Sequence, residues 1–367
     1  MYIRKLSLIN FKNVAEAELD LSPGINCLTG DNGAGKTNAI DAVYYLSMCK
    51  STLAMTDGQS VRHGEDFFML SGDYVSDSDS HEAVTCSFKR SSGKCLKRNA
   101  KEYERLSDHI GAIPAVIVAP GDVFLVSDAA DERRKWLNSF ISQTNKEYLN
   151  ALIRYNHILS ERNKVLKQAD SYTAAELMDI LDEQLAGYGE IINAKRRVMI
   201  EKLQPVVAEY YGIISGDREK IELVYRSELN ETPFPEVLAR SRQKDSATGF
   251  TTSGIHRDDM VMKIGGYPLR KYGSQGQQKS FLIALKLAQH TLLSQESGER
   301  PILLLDDLFD KLDSSRLTAL ISLVGDGRFG QIIISDCNRA RLLGILDGCG
   351  VRYSLFNVDN GIIIREK

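Results

Sequence analysis

Gly30-Asp31-Asn32-Gly33-Ala34-Gly35-Lys36-Thr37 is a complete G-x-x-x-x-G-K-[ST] loop, and its surroundings decide the fold. It follows the strand-like run Ile25-Asn26-Cys27-Leu28 and opens onto Ile40, Val43, Tyr44 and Leu46 at helical spacing. Strand, glycine loop and helix N-terminus in that order make a phosphate cradle. The glycines let successive backbone N–H groups turn inward on phosphate oxygens, and the helix dipole favours the anion. Lys36 is set to reach the β and γ phosphates and Thr37 to hold Mg2+, so the chain is expected to bind a nucleoside triphosphate.

A second glycine-rich segment, Tyr272-Gly273-Ser274-Gln275-Gly276-Gln277-Gln278-Lys279-Ser280, runs into a helix-like stretch from Phe281 to Leu293. It resembles an ABC-type signature. In that class two ATPase heads meet face to face, and the signature amides of one head close on the γ-phosphate held by the other. Ser-Gln-Gly-Gln departs from the Leu-Ser-Gly-Gly-Gln of transporters, and by itself the segment also reads as an ordinary capped helix start.

Ile302-Leu303-Leu304-Leu305-Asp306-Asp307 reads as a buried parallel strand ending in two carboxylates, a Walker B pattern. Ending beside the phosphate loop lets Asp306 orient magnesium, directly or through water. Asp307 stands where ABC-type ATPases usually carry a glutamate that polarises the attacking water. Being one methylene shorter, it implies slow hydrolysis and a long-lived ATP-bound state. Asp313, in Asp310-Lys311-Leu312-Asp313, resembles the D-loop aspartate that communicates across a head dimer. The strand Gln331-Ile332-Ile333-Ile334 ends in Ser335-Asp336, where a γ-phosphate-sensing histidine is common. Asp336 reads equally as a water-orienting group and as a solvent-exposed strand-end cap, and no Q-loop glutamine stands out.

Together these motifs resemble the RecF family of bacterial recombination-repair ATPases, relatives of the SMC heads. The likeness extends to Leu8-Ile9-Asn10-Phe11-Lys12-Asn13, Asn38 after the phosphate loop, Pro120 with Asp122, Arg133-Arg134, and Gly254 with His256-Arg257-Asp258-Asp259. Gly121, Ile255, Lys279 and Asp310-Lys311 depart from the family pattern. The resemblance implies ATP and Mg2+ as cofactors, an ATP-dependent homodimer, and binding to single- and double-stranded DNA and junctions. It further implies RecO- and RecR-like mediator partners, recombinational gap repair, replication support and the SOS response.

Composition agrees with a soluble two-lobed protein. The 367 residues are 43% apolar, enough for real cores, and no run approaches the ~18 apolar residues of a membrane span. Six cysteines, at 27, 49, 86, 95, 337 and 349, form no C-x-x-C pair or zinc spacing, which suits reduced thiols in a cytoplasmic protein. Leu6 and Leu8, then Ala15, Ala17, Leu19 and Leu21, predict an antiparallel hairpin turning at Lys12-Asn13. A second β region is expected from Phe67 to about Leu96, with Ser76-Asp77-Ser78-Asp79-Ser80 as a polar tip. Leu137, Ile141, Tyr148, Leu152, Tyr155, Leu159 and Leu166, then Leu181 through Tyr210, predict two long antiparallel helices joined near Asp170-Ser171. They interrupt the ATPase where SMC proteins put their coiled coil, and Trp136 reads as core.

The expected architecture is α/β: an ABC-type, SMC-head-like P-loop ATPase lobe with an antiparallel β subdomain, plus an inserted α-helical arm. The head's N-terminal part spans residues 1–125, the arm 126–245 and the head's C-terminal part 246–367. A net charge of −3 announces no bulk affinity for DNA. Local basic patches exist, and Lys94, Lys97, Arg98, Lys195, Arg196 and Arg197 are candidate phosphate contacts, with a solvated surface as the plainer reading. Arg133 and Arg134 read alternatively as internal partners of carboxylates. A transporter ATPase subunit would need a transporter-type signature and a Q-loop glutamine. A nuclease of the overcoming-lysogenisation-defect type would need a second metal-binding domain.

Overall fold

The largely apolar runs at 25–29, 115–118, 302–306 and 332–336 fold as fully buried parallel strands, since a strand covered on both faces has no side to give to water. The computed structural model describes residues 1–53, 55–127, 130–167, 172–307 and 312–367, the side chains of 172–175 excepted. Along the chain the first elements are β1 (Tyr2–Phe11), β2 (Val14–Asp20), β3 (Ile25–Thr29), α1 (Lys36–Met48) and α2 (Asp57–Ser60). Strands β4 (Phe67–Val75), β5 (His81–Lys89), β6 (Gly93–Arg98), β7 (Lys101–Glu102) and β8 (Ala115–Val118) follow. Then come α3 (Phe124–Ser127), α4 (Ala130–Thr144), α5 (Lys146–Lys167), α6 (Tyr172–Ser215), β9 (Ile221–Arg226) and α7 (Phe234–Thr248). Next are β10 (Asp259–Ile264), β11 (Tyr267–Pro268), α8 (Leu269–Tyr272), α9 (Gln275–Ser297) and β12 (Ile302–Asp306). The chain closes with α10 (Ser314–Val324), β13 (Ile332–Asp336), α11 (Arg339–Gly348), β14 (Tyr353–Asp359) and β15 (Ile362–Arg365).

Two compact units result: Met1–Val123, Tyr210–Arg218 and Ser274–Lys367 form the first, Phe124–Glu209 and Glu219–Gly273 the second. In the first, an antiparallel sheet of order β2-β1-β4-β5-β6-β7 accompanies a sheet of order β15-β14-β3-β13-β12-β8, parallel from β14 to β8. Helix α1 shares one core with both, through Ile40, Val43 and Leu46 against Leu8, Phe11, Phe68 and Leu304. The expected hairpin is present as β1 and β2, with Phe11 opposite Val14. Its inward face uses Val14 in place of Ala15, which is exposed. The loop after β4 is more than a polar tip, for Asp77 pairs with Arg300 at 2.8 Å.

In the second unit, Arg162 Nε meets Asp182 Oδ1 at 2.6 Å and Arg196 Nε donates to Tyr148 Oη at 3.1 Å, so α5 and α6 run antiparallel. The stripe expected as the first long helix is split into α4 and α5 at Asn145, whose Oδ1 accepts the Tyr148 N–H and caps α5. The junction expected near Asp170-Ser171 lies outside the described residues. Trp136 is buried, stacked obliquely on Phe140.

Two boundaries differ from the sequence-based division. Residues from 246 to 273 fall in the second unit, because β10 pairs along its whole length with β9. Tyr210–Arg218 falls in the first, where Tyr210 Oη and Thr291 Oγ1 lie 2.7 Å apart and the Tyr211 ring meets Phe281 of α9.

Candidate nucleotide site

The parallel order β3-β13-β12 brings three strand ends to one edge. Asp306 stands opposite Ser335, and Ser335 opposite Leu28, so the loop after β3 emerges beside both carboxylate-bearing ends. Gly30 to Gly35 then turn the chain into α1. A Cβ on Gly30 would sit 2.0 Å from the Val358 carbonyl oxygen, so only glycine fits there. Gly35, at φ 118°, caps α1 without a side chain, leaving the first helical N–H groups to a ligand.

Lys36 Nζ donates to the carbonyls of Gly30 (2.7 Å) and Asp31 (2.8 Å), which holds the ammonium over the loop. Thr37 Oγ1 donates to Asp306 Oδ1 at 3.0 Å, and Ser335 Oγ to the same oxygen at 2.6 Å. Asp306 is 1% exposed, and burial pushes its carboxyl above the usual range against the opposing pull of those two hydroxyls. Asp307 follows at φ 46°, a left-handed conformation costly for a residue with a side chain, held by its N–H on Ser335 Oγ at 3.0 Å. A cavity of ≈ 120 Å3 is lined by Asn32, Gly33, Gly35, Lys36, Thr37, Asn38, Asp307 and Ser335. Its neighbour, ≈ 1150 Å3, shares Gly33 and Asn38 with it and is bounded by Asn13, Leu53, Met55 and Arg62.

Two supports of the loop escaped the sequence reading. Asn13 donates to Gly33 O at 3.1 Å and accepts from Asn38 Nδ2 at 2.6 Å; in sequence it was a turn residue at the end of the Leu8–Asn13 family stretch, with no role at the loop assigned to it. Gly361 N–H donates to Ala34 O at 2.7 Å from the β14–β15 turn, where Asn360 and Gly361 both have positive φ. The Asn-Gly pair was a readable hairpin signal, though nothing in it pointed toward the phosphate loop. Ser335 was seen as a strand end only; strand order makes it the bridge between Asp306 and Asp307.

Asp336 is buried and accepts the Asn338 N–H at 2.5 Å, and burial raises its pKa. It is therefore no exposed cap; Asn338 caps α11 instead. Among the described residues Asp307, Asp336 and the exposed Cys337 place ligand-type atoms within 4.8 Å of one another. The oxygen set of Thr37 and Asp306 suits a hard cation such as Mg2+: the buried carboxylate accepts its hydrogen bonds from the neutral hydroxyls of Thr37 and Ser335, and the negative charge of Asp307 lies close by, opposed by the more weakly acting Lys36 ammonium.

Ser274 is the N-cap of α9. Its Oγ accepts from Gln277 N–H at 3.2 Å and Gln277 Oε1 accepts from Ser274 N–H at 2.7 Å, a reciprocal capping box. Ser274 and Gln275 are exposed, and none of Ser274, Gln275, Gly276 and Gln277 lines the phosphate cavity. Asp313 caps α10, with its side chain 59% exposed. Asp310 and Lys311 lie outside the described residues.

The basic candidates divide. Lys94 is not a surface cation: its Nζ donates to Cys49 O at 2.7 Å and pairs with Asp57 at 2.9 Å. Arg196 is 1% exposed, its guanidinium spent on Tyr148, Asn138, Ile255 O and Asp258. The internal pairing of the half-buried Lys94 and the burial of Arg196 correct their placing among the phosphate contacts. Arg98 is engaged by both Glu82 oxygens and Lys195 by Glu147 at 2.9 Å, while Lys97 and Arg197 are exposed. Arg133 pairs with the Asp259 carboxylate at 2.7 Å, the internal role open to it in sequence, whereas Arg134 donates to the Asp258 backbone carbonyl at 2.7 Å and meets a carboxylate only in the exposed Asp131, at 3.4 Å.

The sheet order, phosphate loop, paired Walker B carboxylates and capped signature helix define an ABC-type P-loop ATPase head of the SMC kind. An Smc head domain with an extended coiled coil from Pyrococcus furiosus shares the fold at TM-score 0.60, 15% identity and coverage of 100% of this chain and 96% of that one. A family model described as an AAA domain matches residues 5–232. The chain is 45% identical over 363 residues to the DNA replication and repair protein RecF of Bacteroides thetaiotaomicron, covering 99% of this chain and 98% of the relative. It is 46% identical over 366 residues to that of Porphyromonas gingivalis, covering 100% of both. A solved structure of the recombination mediator protein RecF with ATP, in the RecFOR pathway, superposes at TM-score 0.89 with 29% identity, covering 100% of this chain and 98% of that one. The chain belongs to the RecF family of DNA replication and repair proteins. Among the described residues no helix is long and apolar enough to cross a membrane.

Proposed function

We propose that this chain is an ATP-driven DNA clamp of recombinational repair. The observation that carries the reading is the convergence of Lys36, Thr37 and Asp307 on one cavity, with Thr37 hydrogen-bonded to the buried Asp306. The loop amides and Lys36 bind the triphosphate, and the adjoining cavity beside Gly33 and Asn38 takes the nucleoside. Thr37 and Asp306 would hold Mg2+, which when bound neutralises charge on the phosphate oxygens. The exposed α9 N-terminus with Ser274 lies outside its own chain's cavity, which favours use in trans: each head's signature closes on the partner's γ-phosphate, making ATP the glue of a homodimer.

Hydrolysis resets the switch. The Asp307 carboxylate takes a proton from the attacking water as that oxygen bonds to γ-phosphorus and the bridging oxygen leaves with ADP. The short aspartate reaches the water poorly, so turnover is slow and the closed dimer persists. Closed dimers hold DNA at gaps or junctions mainly through backbone phosphates and act in the cytoplasm with RecO- and RecR-like partners, in gap repair, replication and the SOS response. Family membership supports this biological task. Sedimentation of the protein with ATP, with and without gapped DNA, tests it: a monomer under every condition overturns the clamp.

A further inference from the structure

Arg316, on the first turn of α10, touches two motifs that the sequence separates widely. Its backbone N–H donates to Asp313 Oδ1 at 2.9 Å and its Nε lies 3.3 Å from Asp313 Oδ2, so the D-loop aspartate is gripped at both oxygens. Its Nη1 reaches the other way and donates to Ser280 Oγ at 3.1 Å, on the second turn of the signature helix. Ser280 is fully buried and the Arg316 side chain is 13% exposed, so the Ser280 end of the bridge is sheltered from competing water, while Asp313, 59% exposed, stands at the surface. Gly276 completes the arrangement. A Cβ there would lie 3.0 Å from Arg316 Nη1, although Gly276 itself has ordinary helical backbone.

We infer that Arg316 is a positioning residue that locks the D-loop aspartate and the start of the signature helix into one rigid element, and that residue 276 is glycine to leave room for its guanidinium. The inference rests on the proposed head dimer, in which both motifs face the partner. A planar guanidinium can hold a carboxylate and a hydroxyl in fixed mutual geometry, which a lysine's single ammonium does poorly. With the bridge intact, Asp313 and Ser274 meet the partner as a preformed surface, and no ordering cost is left for the moment of closure. Without it, each motif must be ordered separately as the heads meet. Arg316 lines neither the phosphate cavity nor its neighbour, so ATP capture by the chain's own loop is a separate readout.

The test uses the full chain, with Mg-ATP affinity measured by a fluorescent analogue and dimerisation by sedimentation velocity. Arg316→Ala should weaken ATP-driven dimerisation roughly tenfold or more, the loss expected of charge-assisted contacts, at unchanged ATP affinity. Arg316→Lys should recover part of it. Gly276→Ala, which keeps Arg316 but pushes its guanidinium aside, should weaken dimerisation in the native background and add little once Arg316 is alanine. That dependence also serves if the Arg316→Ala chain folds poorly, since Gly276→Ala can then be compared in the Arg316→Lys background. Wild-type dimerisation with Arg316→Ala dimerising equally well overturns the inference. Equal, additive losses from Gly276→Ala with and without Arg316 overturn the role assigned to the glycine. A wild-type chain that stays monomeric with ATP overturns instead the head-dimer reading beneath it.

Discussion

Thr37 Oγ1 donates a 3.0 Å hydrogen bond to Asp306 Oδ1, joining the phosphate loop to the end of β12 across 269 positions of sequence. Both oxygens belong to the set that would hold Mg2+, so the site's two halves are already in register before ligand arrives. Preorganisation of this kind makes single substitutions informative about separate steps.

Ser274→Arg should leave ATP capture intact, since Ser274 does not line the phosphate cavity. The bulky cation at the head of α9 should block the signature from closing on a partner, and the lost capping box should cost the helix about 0.5–2 kcal/mol. Equilibrium binding of an ATP analogue together with sedimentation velocity separates the two effects. Normal ATP-induced dimers would sink the composite site.

Asp307→Asn should bind ATP and dimerise for longer, because the amide cannot take the water's proton while the backbone N–H to Ser335 is unaffected. Lys36→Ala should instead weaken binding itself, by roughly 1.5–3 kcal/mol for a lost charge-assisted contact. Single-turnover phosphate release and nucleotide titration report them. Wild-type hydrolysis in the asparagine variant would place the general base elsewhere.

Arg196 and Arg197 are neighbours with opposite expected phenotypes. Arg196→Met strands the buried Asp258 carboxylate and should cost about 3–5 kcal/mol in urea unfolding. Arg197→Glu, on an exposed position, should change stability by only about 0.5 kcal/mol. If Arg197 and Lys97 touch DNA, reversing them should flatten the salt dependence, whose log-log slope is about −0.9 per duplex phosphate neutralised. An unchanged slope would mark both as solvated surface.

His290 supplies a pH signature. Its ring packs on Phe329 with Nε2 2.8 Å from Pro301 O, and burial pushes its pKa from 6.5 down to about 4. The unfolded chain therefore binds the proton more readily, so this contribution is fully present above pH ~6.5 and is lost as pH falls toward 4. His290→Gln, which retains an N–H donor and cannot protonate, should lessen the loss of stability between pH 7 and 4.5 by about 2–3 kcal/mol. Denaturant midpoints at the two pH values measure it; parallel losses in both proteins would refute it.

The phosphate loop, the Walker B carboxylates and the helix start at Ser274 were legible in the sequence because each is a local device. A glycine where a Cβ collides, a serine whose hydroxyl caps its own third amide, and an apolar run ending in acid all leave their mark within a few residues. The hairpin of β1 and β2 and the strands β3, β12 and β13 were legible for the same reason, whereas β8 and β14 were not read. The family likeness of these motifs also carried the fold class.

Strand order decided the rest. Ser335 became the hinge of the site only because β13 lies between β3 and β12, and Asn13 and Gly361 became buttresses of the loop only because turns distant in sequence abut it. The fate of each basic residue was likewise hidden: Arg196 and Arg197 are adjacent letters, but a helix turns by about 100° per residue, so one points into the packed interior and the other to water. Residue type and spacing therefore determined which groups the chain carries and which local elements it builds; burial, a sum over long-range contacts that no short window contains, determined which of those groups remain free to meet a ligand.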